Sequence, residues 1–446
     1  NTITDKTRQS VDDEDFSSAV YSKADLVFNG NGTLNVNAGY RNGIKSTDDL
    51  KVVSGTFNIT SNEDGIIGKD LLGIKDGKFT IKSGSDGMKS TYDTDTSKGN
   101  IVITGGEFDI TASNDGIHCN EDILISGGNL TISSGDDGVH ADDNLQVDGG
   151  TIDIKKCCEG LEGVHITLND GDISIVASDD GINAADGSSS SGMGMGGFGG
   201  GQASSSDSSV LLTINGGNIF VNAGGDGLDS NGVLNINGGT VIVDGPVSGG
   251  DGALDSGSEI VVTGGILVAA GSSQMAELPS NNSTQYSLSL GFAQTQTSSV
   301  CVKDSDGNVI LSFQPSKEYS SVVISTPEIK SGSEYSVYYG GTSGGDRKNG
   351  FISGGSYTGG ELLGTVTAES PVTSVGDGTV GQMGGGGMPG GGDKPSDMPE
   401  MPDGNGSDGG NMTSPGGMTP PDNNGNAPQG GMPQNGNFGG NSNDNS

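Results

Sequence analysis

The chain has no tryptophan, and aromatic residues fill only 4% of its 446 positions. An interior built on large rings is excluded, so any core must come from Val, Ile, Leu and small residues. Bases are scarce too. Twenty Lys and Arg face 57 Asp and Glu, giving a formal net charge of −37. That balance excludes nucleic acid and anionic lipid as partners and favours cations. No apolar run reaches the roughly 18 residues a membrane span needs. Four cysteines, two of them adjacent (Cys157, Cys158), do not make a disulfide framework. Asn1 opens no basic and apolar leader, so a secretory signal is expected to have been removed or to lie outside this stretch.

What is abundant is glycine, 84 residues of it, and it is periodic. A glycine that follows Gly, Asp or Ser is answered ten residues later by one that follows an acid: Gly55 and Gly65, Gly77 and Gly87, Gly106 and Gly116, Gly128 and Gly138, Gly150 and Gly160, Gly171 and Gly181, Gly217 and Gly227. Most steps to the next unit are twelve, so the repeat is 22 residues. Within a unit, segments such as LTIS (130–133), IDIK (152–155) and ISIV (173–176) alternate with a strand's period of two. Two or three short strands per repeat, with no crossover helix, predict an all-β chain: a right-handed parallel β-helix in which each coil buries its apolar face against the next. One place after the acid-Gly glycine stand Ile44, Ile66, Met88, Ile117, Val139, Leu161, Ile182 and Leu228; three places after it stand Ser46, Gly68, Ser90, Cys119, Ala141, Gly163, Ala184 and Ser230. Both columns are expected to point inward, and the place between them outward.

The expected organisation is a partial rung over 1–18, the β-helix over 19–276, a small β unit over 277–380 and a disordered Gly/Pro/Met/Asn tail over 381–446. Tyr92–Gly99 reads as a bulge from one rung, and 187–209 as a mobile Gly/Ser/Met insertion. In the small unit, strands are expected near YSLSLGF, SVCVKD, VILSFQ, SVVIST and YSVYYG, with a hairpin at DSDGN (304–308). The unit is expected to cover the open end of the helix.

The acids form a column of their own. Before the acid-Gly glycines stand Asn42, Asp64, Asp86, Asp115, Asp137, Glu159, Asp180, Asp226 and Asp251. Stacked at roughly 4.8 Å, neighbouring charges repel by about 1 kcal/mol in bulk water and about 3–4 at an effective dielectric of 20. One reading is turn chemistry, with Asp closing an Asx-turn and Gly taking positive φ. Asn would serve there without the charge, however, and appears only at Asn42. The other reading is bound Ca²⁺, which selects clustered hard oxygens; the ligands expected are Asp64, Asp86, Asp115, Asp136, Asp137, Asp142, Asp143, Asp180 and Asp226. The outward column reads Lys45, Ile67, Lys89, His118, His140, Glu162, Asn183 and Asp229. It is either a solvated sheet face or a groove for a linear ligand, contacted by Lys89, His118, His140, Glu162, Asn183 and Asp229. His118 and His140 could hold a transition metal, a weaker case than calcium without a third imidazole or a thiolate.

The run IKSTDDLKV (44–52), the recurrent GG-x-φ-x-I-x-(A/S)-x-x-DGI units, the Gly/Met-rich insertion and DSDGNVI (304–310) together resemble the clostridial parallel β-helix carbohydrate-binding proteins, themselves distantly similar to calcium-dependent pectate lyases. The resemblance covers roughly 19–365. It implies an extracellular or bacterial cell-surface protein that binds plant polysaccharide, acidic pectin-type or cellulose, with calcium in the helix. It also implies that rungs precede NTITD (1–5). For a uronate polymer, calcium would bridge ladder aspartates to sugar carboxylates; for cellulose, the lack of tryptophan leaves an aromatic platform hard to assemble. The rival reading is a calcium-dependent lyase, whose general base would be Lys45, Lys69 or Lys89. Hydrolysis by paired acids and a structural surface adhesin with a spacer tail stand behind it. A monomer is expected.

Overall fold

The computed structural model describes residues 1–6, 17–186 and 209–381, and every regular element among them is a β-strand. Three parallel sheets make the solenoid, and each coil up to Val233–Ile236 gives one strand to each. The long sheet runs from Thr2–Thr4 and Thr33–Ala38 to Ile266–Gly271. The ladder sheet has nine short strands, from Ser18–Ser22 to Leu228–Ser230, and the third sheet ten, from Leu26–Phe28 to Glu259–Val262. The expected parallel β-helix is present, and residues 22 apart in sequence are hydrogen-bonded between successive rungs.

The two-residue alternation explains the interior. In the long sheet Val36, Ile59, Ile81, Ile110, Ile132 and Ile154 are direct partners on successive rungs, all buried. In the ladder sheet the expected inward columns are likewise buried, from Ile44 and Ser46 to Leu228 and Ser230. Phe57, Phe79 and Phe108 fill one corner as a parallel stack with centroids 5.0 and 4.8 Å apart. Branched side chains in register suit this core, since each rung alone could not bury its apolar face.

The two glycine columns do different work, and here the turn reading needs correction. Positive φ belongs to the Gly-pair column, as at Gly77 (144°) and Gly150 (97°). The acid-Gly glycines do not adopt it. They are needed because rungs approach closely: a Cβ on Gly138 would meet Ile154 Cδ1 at 2.5 Å and the Gly160 carbonyl oxygen at 2.6 Å. That distance is below any tolerable carbon contact, so Asp-Gly marks a packing constraint.

The C-terminal strands lie where the sequence places them: Ser287–Gln296, Val300–Asp304, Val309–Phe313, Tyr319–Ser325 and Glu334–Tyr339. Asp304 closes the hairpin by accepting the backbone N–H groups of Asp306 and Asn308 at 3.0 and 2.8 Å. The expected cap is only part of the arrangement. Tyr319–Ser325 pairs antiparallel with Ile266–Gly271 and so extends the long sheet past its last coil. A separate five-stranded sheet adds a second core, which takes in Ile242 and Val268 on the outer side of the long sheet. The 187–208 stretch of the insertion and the tail from 382 lie outside the described residues.

Candidate functional site

The acid ladder is hydrogen-bonded in two runs, from Asn42 to Asp137 and from Asp180 to Gly252. Asn42 Oδ1 accepts the Asp64 N–H at 3.0 Å, Asp64 Oδ1 that of Asp86 at 3.1 Å, Asp86 Oδ1 that of Asp115 at 3.2 Å and Asp115 Oδ1 that of Asp137 at 3.1 Å. Asp180 Oδ1 accepts the Asp226 N–H at 2.6 Å, and Asp226 Oδ1 that of Gly252 at 2.5 Å. Within each run one oxygen per rung satisfies a backbone donor of the next, and Glu159, between the runs, accepts from Asn183 instead. Asn42 does this with an amide, so the backbone role does not require charge. The charge is accounted for by the second oxygen.

That oxygen faces the neighbouring column, which is in strict register from Lys45 through Ile67, Lys89, His118, His140, Glu162 and Asn183 to Asp229. Ile67 is buried and the polar members are half-buried, so the column is a shallow floor. Its first half supplies basic side chains. Lys89 Nζ lies 2.5 Å from the buried Asp86 Oδ2. His118 Nδ1 lies 3.4 Å from Asp115 Oδ2 and 3.8 Å from Asp86 Oδ2, buried but aligned for a hydrogen bond with neither. His140 Nδ1 lies 3.3 Å from Asp137 Oδ2 and 3.2 Å from Glu162 Oε2. Burial opposes the charge of Asp86, yet its contacts with His118, Lys89 and Asn114 outweigh that and hold its carboxyl well below the usual range. His118 is also penalised by burial, and its contacts with Asp142 and Asp86 still push it up to about 9. Asp115 rises to about 6, through burial first and the Asp137 charge second.

Beyond Glu162, which His140 still reaches, the column has no such partners. From residue 166 to residue 302 the sequence contains no Lys, Arg or His. Burial and neighbouring acids push Asp180 up to about 7 and Asp226 and Asp229 up to about 8. Glu162 rises as burial and Asp137 act on it, and Glu159 and Asp255 rise chiefly through burial. Asn183 Nδ2 donates to Glu159 at 2.8 Å, while Asn183 Oδ1 and Asp229 Oδ1 are buried without a hydrogen-bond partner.

The remaining sequence candidates are dispersed. Asp142 is exposed and touches both histidines. Asp143 lies 3.2 Å from His165 Nδ1, at the turn into the third sheet. Asp136 is exposed and its carboxyl is raised, mainly by desolvation. Lys69 Nζ sits 4.9 Å from the centre of the Tyr92 ring, beside an open cleft of 620 Å³ lined by Asp48, Asp49, Asp70, Lys98, Asn100 and Asp122. Lys89 is a poor general base, because its ion pair with Asp86 outweighs burial and keeps the amine protonated. Sequence reasoning missed Asp255 and Glu277 as companions of Asp226 and Asp229. Asp255 falls in an irregular last coil, and Glu277 follows the end of the repeat, where periodicity gives no signal.

Fold and site together define a parallel β-solenoid with a carboxylate ladder beside a half-buried polar column. Residues 1–194 match the family model described as carbohydrate-binding domain-containing protein, which bears out the family resemblance over that span and takes in the ladder from Asn42 to Asp180. The chain is also similar to a solved structure described as the polysaccharide lyase-like protein from C. thermocellum, gadolinium derivative. The two are 18% identical, with 59% of this chain and 96% of that one covered and a TM-score of 0.26. No curated protein matches the chain.

Proposed function

We propose that this protein is an extracellular or bacterial cell-surface, calcium-dependent binding protein for acidic polysaccharide of the pectin type. The observation that carries the proposal is the cation-free second half of the column. Asp180, Asn183, Asp226 and Asp229 gather carboxylate and amide oxygens, two of them buried and unpartnered. Hard oxygen donors of mixed charge are what Ca²⁺ takes, and sites on extracellular modules bind it at about 10⁻⁴–10⁻³ M. Calcium held there would neutralise the ladder and keep coordination positions for a uronate carboxylate. The coil spacing would let a linear polymer lie along the column. An acidic polymer is favoured over cellulose because the column offers no aromatic side chain.

The test is retention of the full chain on polygalacturonate and on cellulose, with calcium or EDTA, while the absorbance of unsaturated products is followed. Expected are calcium-dependent retention on polygalacturonate, weaker retention on cellulose and flat absorbance. Rising absorbance would make the protein a lyase, and retention indifferent to EDTA would remove calcium from the account.

A further inference from the structure

We infer that His118, His140 and Asp142 form a binding site for one divalent transition ion, Zn²⁺ being the probe of choice, separate from the all-oxygen positions further along the column. The two imidazoles stack on adjacent rungs with centroids 4.8 Å apart and planes within 13° of parallel. Both direct Nε2 at one atom, Asp142 Oδ1, at 3.2 Å from His118 and 3.5 Å from His140. The three donor atoms lie within 4.8 Å of one another. Two imidazole nitrogens and a carboxylate are a donor set that suits zinc and its neighbours and does not suit calcium. Three protein ligands leave a fourth position open, here toward solvent, because Asp142 is exposed.

The surroundings are those of a built site. Ligating histidines usually direct the second ring nitrogen at a carboxylate, which fixes the tautomer and strengthens the ligand. Here His140 Nδ1 lies 3.3 and 3.2 Å from Asp137 and Glu162, and His118 Nδ1, buried and without a hydrogen bond, lies 3.4 and 3.8 Å from Asp115 and Asp86. Asn120 Nδ2 donates to Asp142 Oδ2 at 3.1 Å and leaves Oδ1 for the ion. Zinc takes imidazole in its neutral form, so any proton carried by the two rings is released on uptake. The register that creates the site is local: the same column carries Lys89 on one side and Glu162 on the other.

The experiment is calorimetric titration of the metal-stripped full chain with Zn²⁺ in millimolar calcium, repeated in two buffers of different ionisation enthalpy. One zinc per chain, with proton release, is expected. The His118→Gln/His140→Gln variant should bind on the order of 100-fold more weakly, the upper end of what losing even an outer partner costs. Equal zinc binding by that variant, or full displacement by calcium, would overturn the inference. Should the variant fail to fold, zinc-edge anomalous scattering from wild-type crystals decides: a peak bonded to both Nε2 atoms and Asp142 supports the site, and its absence at saturating zinc refutes it.

Discussion

Asp64 and Asp86 occupy the same place on adjacent rungs and pass on the same backbone hydrogen bond. Only Asp86 is fully buried against Lys89, so the two predict different costs. Asp64→Asn keeps the acceptor, as Asn42 does, and should change stability by less than about 1 kcal/mol. Asp86→Asn leaves the Lys89 charge without its partner and should cost about 3 kcal/mol, the scale of a broken buried pair. Urea denaturation of both variants checks the contrast, and equal losses would contradict the division of labour between the two oxygens. Gly138→Ala should cost about 1–3 kcal/mol by overpacking against Ile154 and the Gly160 carbonyl. The need for glycine there was legible in the sequence, but its cause was not: Asp-Gly is also a turn signature, and only the closeness of successive coils separates the two.

At the scale of elements, the long sheet is the spine that joins solenoid and C-terminal unit. Ile242 and Val268 point away from the solenoid core into the second core, while Tyr319–Ser325 covers the edge of Ile266–Gly271. A chain ending at residue 276 should therefore expose both an apolar patch and an unpaired strand edge, and should aggregate. Light scattering beside the full chain measures this; a monodisperse truncated solenoid would show that the unit is dispensable. The strands of that unit were readable from alternation and from the DSDGN turn. Its docking on a sheet face was not, because Ile242 lies in TVIV (240–243), which reads as a strand buried on both faces with nothing to say what covers the outer one.

At the scale of the whole molecule, the column changes character along its length, from lysine through histidine to carboxylate. The sequence displayed the column and the ladder, since both follow from the period. It did not show that basic groups lie against the carboxylates in the first half and not in the second, which depends on which oxygens are already engaged. A consequence is pH dependence of the metal-free protein. Asp180, Asp226, Asp229 and Glu277 titrate near 7 or 8, above ordinary carboxyls. Raised carboxyls favour the fold while protonated, so their contribution is whole below about pH 4 and is lost as pH rises through 7 and 8. Asp86 works in the opposite sense, its share being lost only in acid. Melting in EDTA should therefore occur at lower temperature at pH 8 than at pH 5, and calcium should raise it much more at pH 8. A melting temperature that climbs toward pH 8 without metal would contradict the charge assignment.

In the function we propose, calcium on the second half of the column carries the polymer. Its most direct test is retention of the full chain on polygalacturonate at pH 8 across a calcium series, for wild type and for Asp229→Asn. Saturable calcium dependence is expected in the wild type, and in the variant a curve moved to higher calcium or lost. Identical curves for the two proteins, or retention that ignores calcium, would contradict it.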